Sequence, residues 1–406
     1  MSSVPHALAG LKVVEFASYA AGPHVGKVLA NFGAIVVHVE SRQRPDGFRL
    51  EYPPFKDGIP GVDRGGCFTL FNDSKYGVTL DLKNDVALGL ARRLVRWCDV
   101  VIENMRPGVI ARLGLSYDVM RAINPRLILL SSCNMGQTGP RAQTPGFGSQ
   151  LSALAGFCGL TGEPDGPPML LYGPYIDFVA STMSVSAVLA AVLRQRATGE
   201  GAWIDVAQYE TGLHFIADAL LDYHTNAHEA QRAGNLDPEA VPHGAWRCRD
   251  DQWVALSCWS DHEFGQLVAA IGQAALAHDL RFATAASRRE HMRDLDAIIG
   301  CWCSTRAAEE VASMLQHAGV HAHRVNTVAD LMTDAQLVHR HVWRRRRHPV
   351  IGDQVYLFPA FELSATPGDI TAAGPRLGAD NDAVFRHFIG MNDDEHAAAR
   401  AAGAFD

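Results

Sequence analysis

The chain has 406 residues, 48% hydrophobic and 20% charged, and a formal net charge of −8, the composition of an ordinary globular protein with room for one large domain and a smaller one. The acidic balance argues against nonspecific nucleic-acid binding, and the basic run His339 to His348, with Arg340 and Arg344 to Arg347, is local. Eight cysteines without a CxxC pair predict reduced thiols, no apolar run meets the expectation for a membrane span, and the N-terminus shows no basic-then-apolar pattern; a cytoplasmic location is therefore expected.

Strand and helix signals alternate over the first 135 residues. Leu11 to Phe16 predicts a short apolar strand, the Gly22-Pro23 turn leads into a helix through Ala30, and Ala34 to Val39 predicts a second strand ending at Glu40. The pattern recurs as a helix over Asn84 to Trp97, a strand over Asp99 to Glu103, a helix over Tyr117 to Ile123 and a strand over Leu127 to Ser132. Such alternation predicts a mostly parallel sheet covered on both faces. Ligands of open sheets sit outside the carboxyl ends of the strands, so Ala17 to Gly22, Ser41 to Arg44, Asn104 to Gly108 and Cys133 to Gly139 are expected to share one crevice. Neither GxGxxG nor GxxxxGK[ST] nor GxSxG occurs where its chemistry would need it. Arg42, Lys75, Asn104, Arg106 and Arg112 instead suggest side-chain donors for an anionic ligand.

Asp177 is the only charged residue between Gly166 and Leu193. Pro174 breaks any helix arriving from before it and good helix formers follow, which puts Asp177 at or near a helix N-terminus, where the dipole favours its charge. An N-cap role and a chemical role both fit such an acid. Beyond Leu221 the sequence turns polar and irregular as far as Pro242. Trp246 to Ser257 then predicts a hairpin turning at Asp250-Asp251, with Trp246, Trp253 and Trp259 along its packed face, followed by helical material from His262 to Ala318. His243-Gly244, just before the hairpin, reads as a turn or a mobile lid. Cys301, Cys303, His321 and His323 lack the usual zinc spacing, and no metal is expected.

Taken in order, the motifs Gly10-Leu11-Lys12-Val13-Val14-Glu15, Ala21-Gly22-Pro23, Asn31-Phe32-Gly33-Ala34, Asn72-Asp73-Ser74-Lys75, Asp99 to Asn104, Arg106-Pro107-Gly108, Arg112-Leu113-Gly114-Leu115, Asn124 to Ile128, and Gly136 to Pro140 resemble the class III CoA-transferase family, also called the CaiB/BaiF type. Tyr175-Ile176-Asp177 falls where that family places its catalytic aspartate, and Arg196 to Gly201 follows an Ala-rich helix. The resemblance implies an α/β fold: a Rossmann-like large domain with a mostly parallel sheet, a smaller inserted α+β domain, and an interlocked dimer. The corresponding boundaries are 1–222 for the N-terminal part of the large domain, 223–330 for the small domain with its linkers, and 331–406 for the returning segment.

The activity implied is transfer of coenzyme A from an acyl-CoA to a carboxylic acid through a covalent intermediate on Asp177, with no cofactor beyond CoA itself. Carried over by position, the resemblance puts Tyr19, Ala21, Arg42, Asn72, Lys75, Asn104, Met105 and Arg112 on the CoA path, with Lys75 and Arg112 facing phosphates. Ser18 and Ser41 depart from residues common in the family, and Leu377-Gly378-Ala379-Asp380 replaces a Leu-Gly-Glu-His pattern. Tyr175 to Ala180 and Ile204 to Glu210 are similar to subunits of the benzylsuccinate CoA-transferase type, which use succinyl-CoA. A noncatalytic partner subunit of a hetero-oligomeric transferase is one alternative. An α-methylacyl-CoA racemase is another, although Gly146-Phe147-Gly148 stands where those enzymes carry the His of a Gly-His-Asp stretch.

Overall fold

The computed structural model describes residues 6–406. Six parallel strands, β1 (Lys12–Phe16), β2 (Ile35–Glu40), β3 (Tyr76–Thr79), β4 (Val100–Glu103), β5 (Ile128–Cys133) and β6 (Ala202–Ala207), form one sheet in the order β3-β2-β1-β4-β5-β6. The register pairs Val13 with Val36 on one side and with Val100 on the other. Strand residues alternate between two apolar clusters. Val14, Val37, Val101 and Leu129 enter one, and Val13, Val36, Val100 and Leu130 enter the other, so both faces are covered, as parallel strands require.

The helices from β1 to just past β6 are α1 (Ala21–Asn31), α2 (Gly66–Asn72), α3 (Asp85–Trp97), α4 (Val109–Arg112), α5 (Tyr117–Ile123), α6 (Gly148–Leu154), α7 (Phe157–Leu160), α8 (Tyr175–Thr198) and α9 (Gln208–Leu213). Leu90 and Leu94 of α3 fill one cluster together with Val384, Phe385 and Phe405 from the C-terminal segment. Val25 and Leu29 of α1 and Val188 and Val192 of α8 fill the other. Asn84 caps α3 by accepting from the backbone N–H groups of Val86 and Ala87, the arrangement expected of an Asn before an apolar-periodic run. β3 and β6 had no strand expectation. β3 is only four residues long and starts at an exposed Tyr76, while β6 alternates Asp205 and Trp203 with apolar residues at the sheet edge.

Packing divides the chain into two units. The larger comprises the chain up to Phe157, Leu170–His228 and Gln336–Asp406, and the smaller comprises Cys158–Met169 and Glu229–Ala335. The expected boundary at 222 falls inside helix α10 (Ala217–Asn226). The smaller unit also takes in the segment around Gly162, because Gly234 N–H donates to Gly162 O at 2.9 Å and Arg232 Nη2 donates to Gly166 O at 3.0 Å. Within it, β7 (His243–Arg247), β8 (Trp253–Ser257) and β9 (His321–Arg324) form an antiparallel sheet. Leu267, Leu295, Ile299, Val311 and Leu315 pack with the sheet's Val254 and Leu256. His243-Gly244 opens strand β7 instead of forming a lid, and of the three tryptophans only Trp246 is buried; Trp253 and Trp259 face solvent.

In the larger unit the basic run becomes strand β10 (Trp343–His348), paired with β11 (Gly352–Leu357), and both Arg344 and Arg346 bond Asp369. Helix α8 meets the length and hydropathy of a membrane span, at a mean hydropathy of 1.9, although its interrupted Ser and Thr content had argued otherwise. It packs on α1, β5 and β6 through its buried side.

Candidate active site

The strand order reverses between β1 and β4, and the loops leaving these two strands diverge there. A cavity of about 380 Å³ opens at this point, walled by Ser18 to Ala21 after β1 and by Asn104 to Pro107 after β4. This is the position where open α/β sheets bind ligands. Arg44 from the segment after β2, with Cys133 at the end of β5 and Asn134 just after it, completes that side, so all four segments expected to share a crevice contribute to one. Gly146, Phe147, Gly148, Asp177 and Gln208 close the other side.

Side-chain hydrogen bonds hold the wall after β1. Asn104 accepts from Ser18 N–H at 2.9 Å and donates to Ser18 O at 2.8 Å. Asp46 accepts from Tyr19 N–H through both carboxylate oxygens, at 3.2 and 3.0 Å. The second clamp matters because Tyr19 sits at φ 62°, a left-handed conformation that a bulky residue adopts only under outside constraint. The Tyr19 hydroxyl donates to Glu51 at 2.8 Å, and burial, with help from that acceptor, pushes it up to about 12. Burial also raises the Asp46 carboxyl to about 6.

Asp177 lies in the first turn of α8, three residues after Pro174, which holds the N-cap position. The N-cap role is therefore excluded. Among the described residues its carboxylate has no hydrogen-bond or ion-pair partner, and burial pushes it up to about 7. Gly148, at the start of α6, approaches it closely: a Cβ there would come within 2.5 Å of Asp177 Oδ2 and 3.0 Å of Pro174 Cβ. One turn along α8, Ser181 Oγ meets His24 Nδ1 at 2.7 Å, tying α8 to α1. Burial and the nearby cations Lys27 and Lys75 hold His24 down at about 4, so it is neutral.

The other polar groups of the cavity narrow its chemistry. Burial, with the carboxylates Asp205 and Glu103, pushes the Cys133 thiol up to about 12, so it is no thiolate. Among the described residues no histidine lines the cavity to activate Ser18 or Thr144, and Phe147, which does line it, has no group that can carry a proton. Arg44 and Arg106 line the cavity exposed, with no side-chain partner among the described residues.

Of the residues expected on the ligand path, Tyr19, Ala21, Asn104 and Met105 line this cavity, although the Asn104 amide is spent on Ser18. Lys75 does not line it. Its ammonium is buried and bonds Glu15 Oε2 at 2.8 Å, Pro23 O at 2.7 Å and Asn72 Oδ1 at 2.9 Å, so it neutralises a buried carboxylate and presents nothing to a phosphate. Asn72, fully buried, bonds Lys75 and Phe68 O. Arg112 is exposed at the end of α4, outside the lining residues. Arg42 turns to a second, smaller cavity with Arg400 and Asp406, and its Nε donates to Phe405 O at 3.1 Å. The guanidinium that reaches the main cavity after β2 is Arg44. Asp380, of the altered C-terminal pattern, accepts from Gly77 N–H at 2.8 Å and fastens the sheet edge at β3.

Fold and site together define an open-sheet α/β enzyme whose cavity offers one nucleophile able to ionise near neutral pH, an unpaired carboxylate. The chain belongs to CoA-transferase family III, which it matches over residues 8–381. It is 32% identical over 397 residues to the succinyl-CoA–D-citramalate CoA-transferase of Chloroflexus aurantiacus, covering 98% of both chains. It is also 32% identical to the beta subunit of that organism's succinyl-CoA–L-malate CoA-transferase, covering 96% of this chain and 95% of the other. A CaiB/BaiF family protein from Brucella suis, of known crystal structure, superposes with a TM-score of 0.87 at 31% identity, over 95% of this chain and 100% of that one.

Proposed function

We propose that this CoA-transferase works through a covalent intermediate on Asp177 and takes CoA from succinyl-CoA. The observation that carries the mechanism is the isolation of Asp177: an unpaired carboxylate, raised to about 7, in a cavity with no other group able to act as a nucleophile at neutral pH. A carboxylate oxygen of Asp177 attacks the thioester carbonyl and CoA leaves as thiolate, giving a mixed anhydride. The thiolate then attacks the Asp177 carbonyl, expels the donor acid and forms an enzyme–CoA thioester. The acceptor carboxylate attacks that thioester to give a second anhydride and free thiolate, and the thiolate takes the acceptor acyl group, restoring Asp177. Desolvation makes the carboxylate a stronger nucleophile once ionised, and the dipole of α8 supports its charge. Succinyl-CoA is the donor favoured by the names of both Chloroflexus relatives.

Arg44 and Arg106, unpaired at the cavity, are the side chains we assign to the CoA phosphates. Tyr19, Ala21 and Met105 we assign to the walls of the CoA path. The eight cysteines are all free thiols, in keeping with a cytoplasmic enzyme. Leu193 on α8 and, on α10, Leu220, Leu221 and Tyr223 are exposed apolar side chains, which support contact with a second chain that we take to be a second copy.

Intact-protein mass spectrometry after incubation with succinyl-CoA and trapping with hydroxylamine or borohydride tests the mechanism. An adduct on wild type that maps to Asp177 and vanishes in Asp177→Ala is the expected result. An unmodified wild-type chain that still binds CoA would instead favour a noncatalytic partner subunit, a reading supported by the likeness to a beta subunit of a two-subunit enzyme.

A further inference from the structure

Gln208 is the first residue of α9, directly after β6, and its neighbour Tyr209 donates its N–H to Asn134 O at 2.9 Å, fixing the start of the helix against the loop after β5. The residue is 4% exposed and lines the same cavity as Asp177. Its carboxamide has no hydrogen-bond partner among the described residues, yet neither amide atom is sealed from solvent, so what exposure it keeps faces the cavity. Around it Ala207, Thr211 and Gly212 are buried. With no protein partner, its donor and acceptor are left open to whatever occupies the cavity. The amide is neutral, carries both donor and acceptor, and is suited to an oxygen that is itself both, such as a hydroxyl or carboxyl group.

We propose that Gln208 is a specificity-determining residue that binds an oxygen substituent on the carbon chain of the acid receiving CoA. The substrate class is thus a hydroxy acid or dicarboxylic acid rather than an unsubstituted fatty or aromatic acid. The inference rests on the transferase reading above. Gln208 and Asp177 line one cavity, so an acid whose reacting carboxylate meets Asp177 has its chain among the groups that include Gln208. The CoA phosphates have Arg44 and Arg106 available and do not need the amide.

The test compares wild type, Gln208→Met and Gln208→Glu, with succinyl-CoA as donor and matched acceptor pairs: 3-hydroxybutyrate against butyrate, and glutarate against valerate. Wild type is expected to favour at least one oxygen-bearing acid over its partner by about 10–100-fold in kcat/KM. Gln208→Met, which keeps the volume, should bring that ratio near unity, the loss falling on the oxygen-bearing acid and not on its unsubstituted partner. Gln208→Glu should reject glutarate but retain 3-hydroxybutyrate. An unchanged ratio in Gln208→Met, an equal loss on every acid, or a wild type with no preference would overturn the assignment while leaving the transferase mechanism intact. Absence of any Asp177 adduct on wild type would overturn both.

Discussion

Replacing Asp177 by Asn should make the protein more stable, and the gain should depend on pH in a direction set by the site. An Asp that titrates at about 7 when folded and near 3.8 when unfolded binds its proton more tightly in the native state. Below pH ~4 it is neutral in both states and stability is unaffected. As pH rises toward 7 the unfolded chain ionises first, so wild type loses stability through this window, and above pH ~7 the deficit is constant. At about 1.4 kcal/mol per pH unit the full deficit is about 4 kcal/mol, trimmed to about 2–4 kcal/mol by the solvent that reaches the open cavity. Asn cannot ionise and escapes it. Urea denaturation of both proteins at equal concentration should therefore show Asp177→Asn gaining about 2–3 kcal/mol relative to wild type between pH 5 and pH 8. A difference that stays flat over this range would refute the claim that the carboxylate is desolvated and unpaired.

The same ionisation should govern the reaction: kcat/KM for the acyl-CoA is expected to fall about tenfold per pH unit below pH ~7, and a profile flat down to pH 5 would contradict a carboxylate raised to about 7. Gly148→Ala places a methyl group 2.5 Å from Asp177 Oδ2; steady-state assays should show kcat lowered about 100-fold while the melting temperature barely moves. Lys75→Met leaves Glu15 buried without its cation, so chemical denaturation should register about 3–5 kcal/mol of destabilisation, whereas a role on the phosphates would have appeared as weakened CoA binding in a stable protein. Arg44→Ala and Arg106→Ala should each raise KM for acyl-CoA about 10–100-fold with kcat nearly unchanged at saturation, and calorimetric titration with CoA should show a reduced salt dependence.

Much of the large unit was legible in the chain because its signals are local. Short apolar runs bounded by Gly, Pro and Asn predicted β1, β2, β4 and β5 to within a residue or so, and α5 at both ends. Asp177 stood out because a lone carboxylate among 28 residues is conspicuous in any context. β6 was not legible: its strand character comes from pairing with β5 at the sheet edge, and without it Gln208 had no recognisable place at a strand end. The hairpin tryptophans show the same limit, since which of Trp246, Trp253 and Trp259 is buried depends on what packs against β7 and β8.

The sequence by itself determined the parallel α/β layering, the crevice at the strand ends and the aspartate that faces it, because period-2 and helical patterning, turn residues and isolated charge are written in neighbouring positions. Only the tertiary structure decided which cations reach that crevice. Lys75 and Arg42 look as suitable as Arg44 in one dimension, but Glu15 draws the Lys75 ammonium into the interior and Phe405 O draws Arg42 to another cavity. Arg44 meets no such partner and is left to face the site. A charged side chain goes to its nearest buried or fixed counterpart, and that counterpart lies 60 residues away for Lys75 and 363 for Arg42.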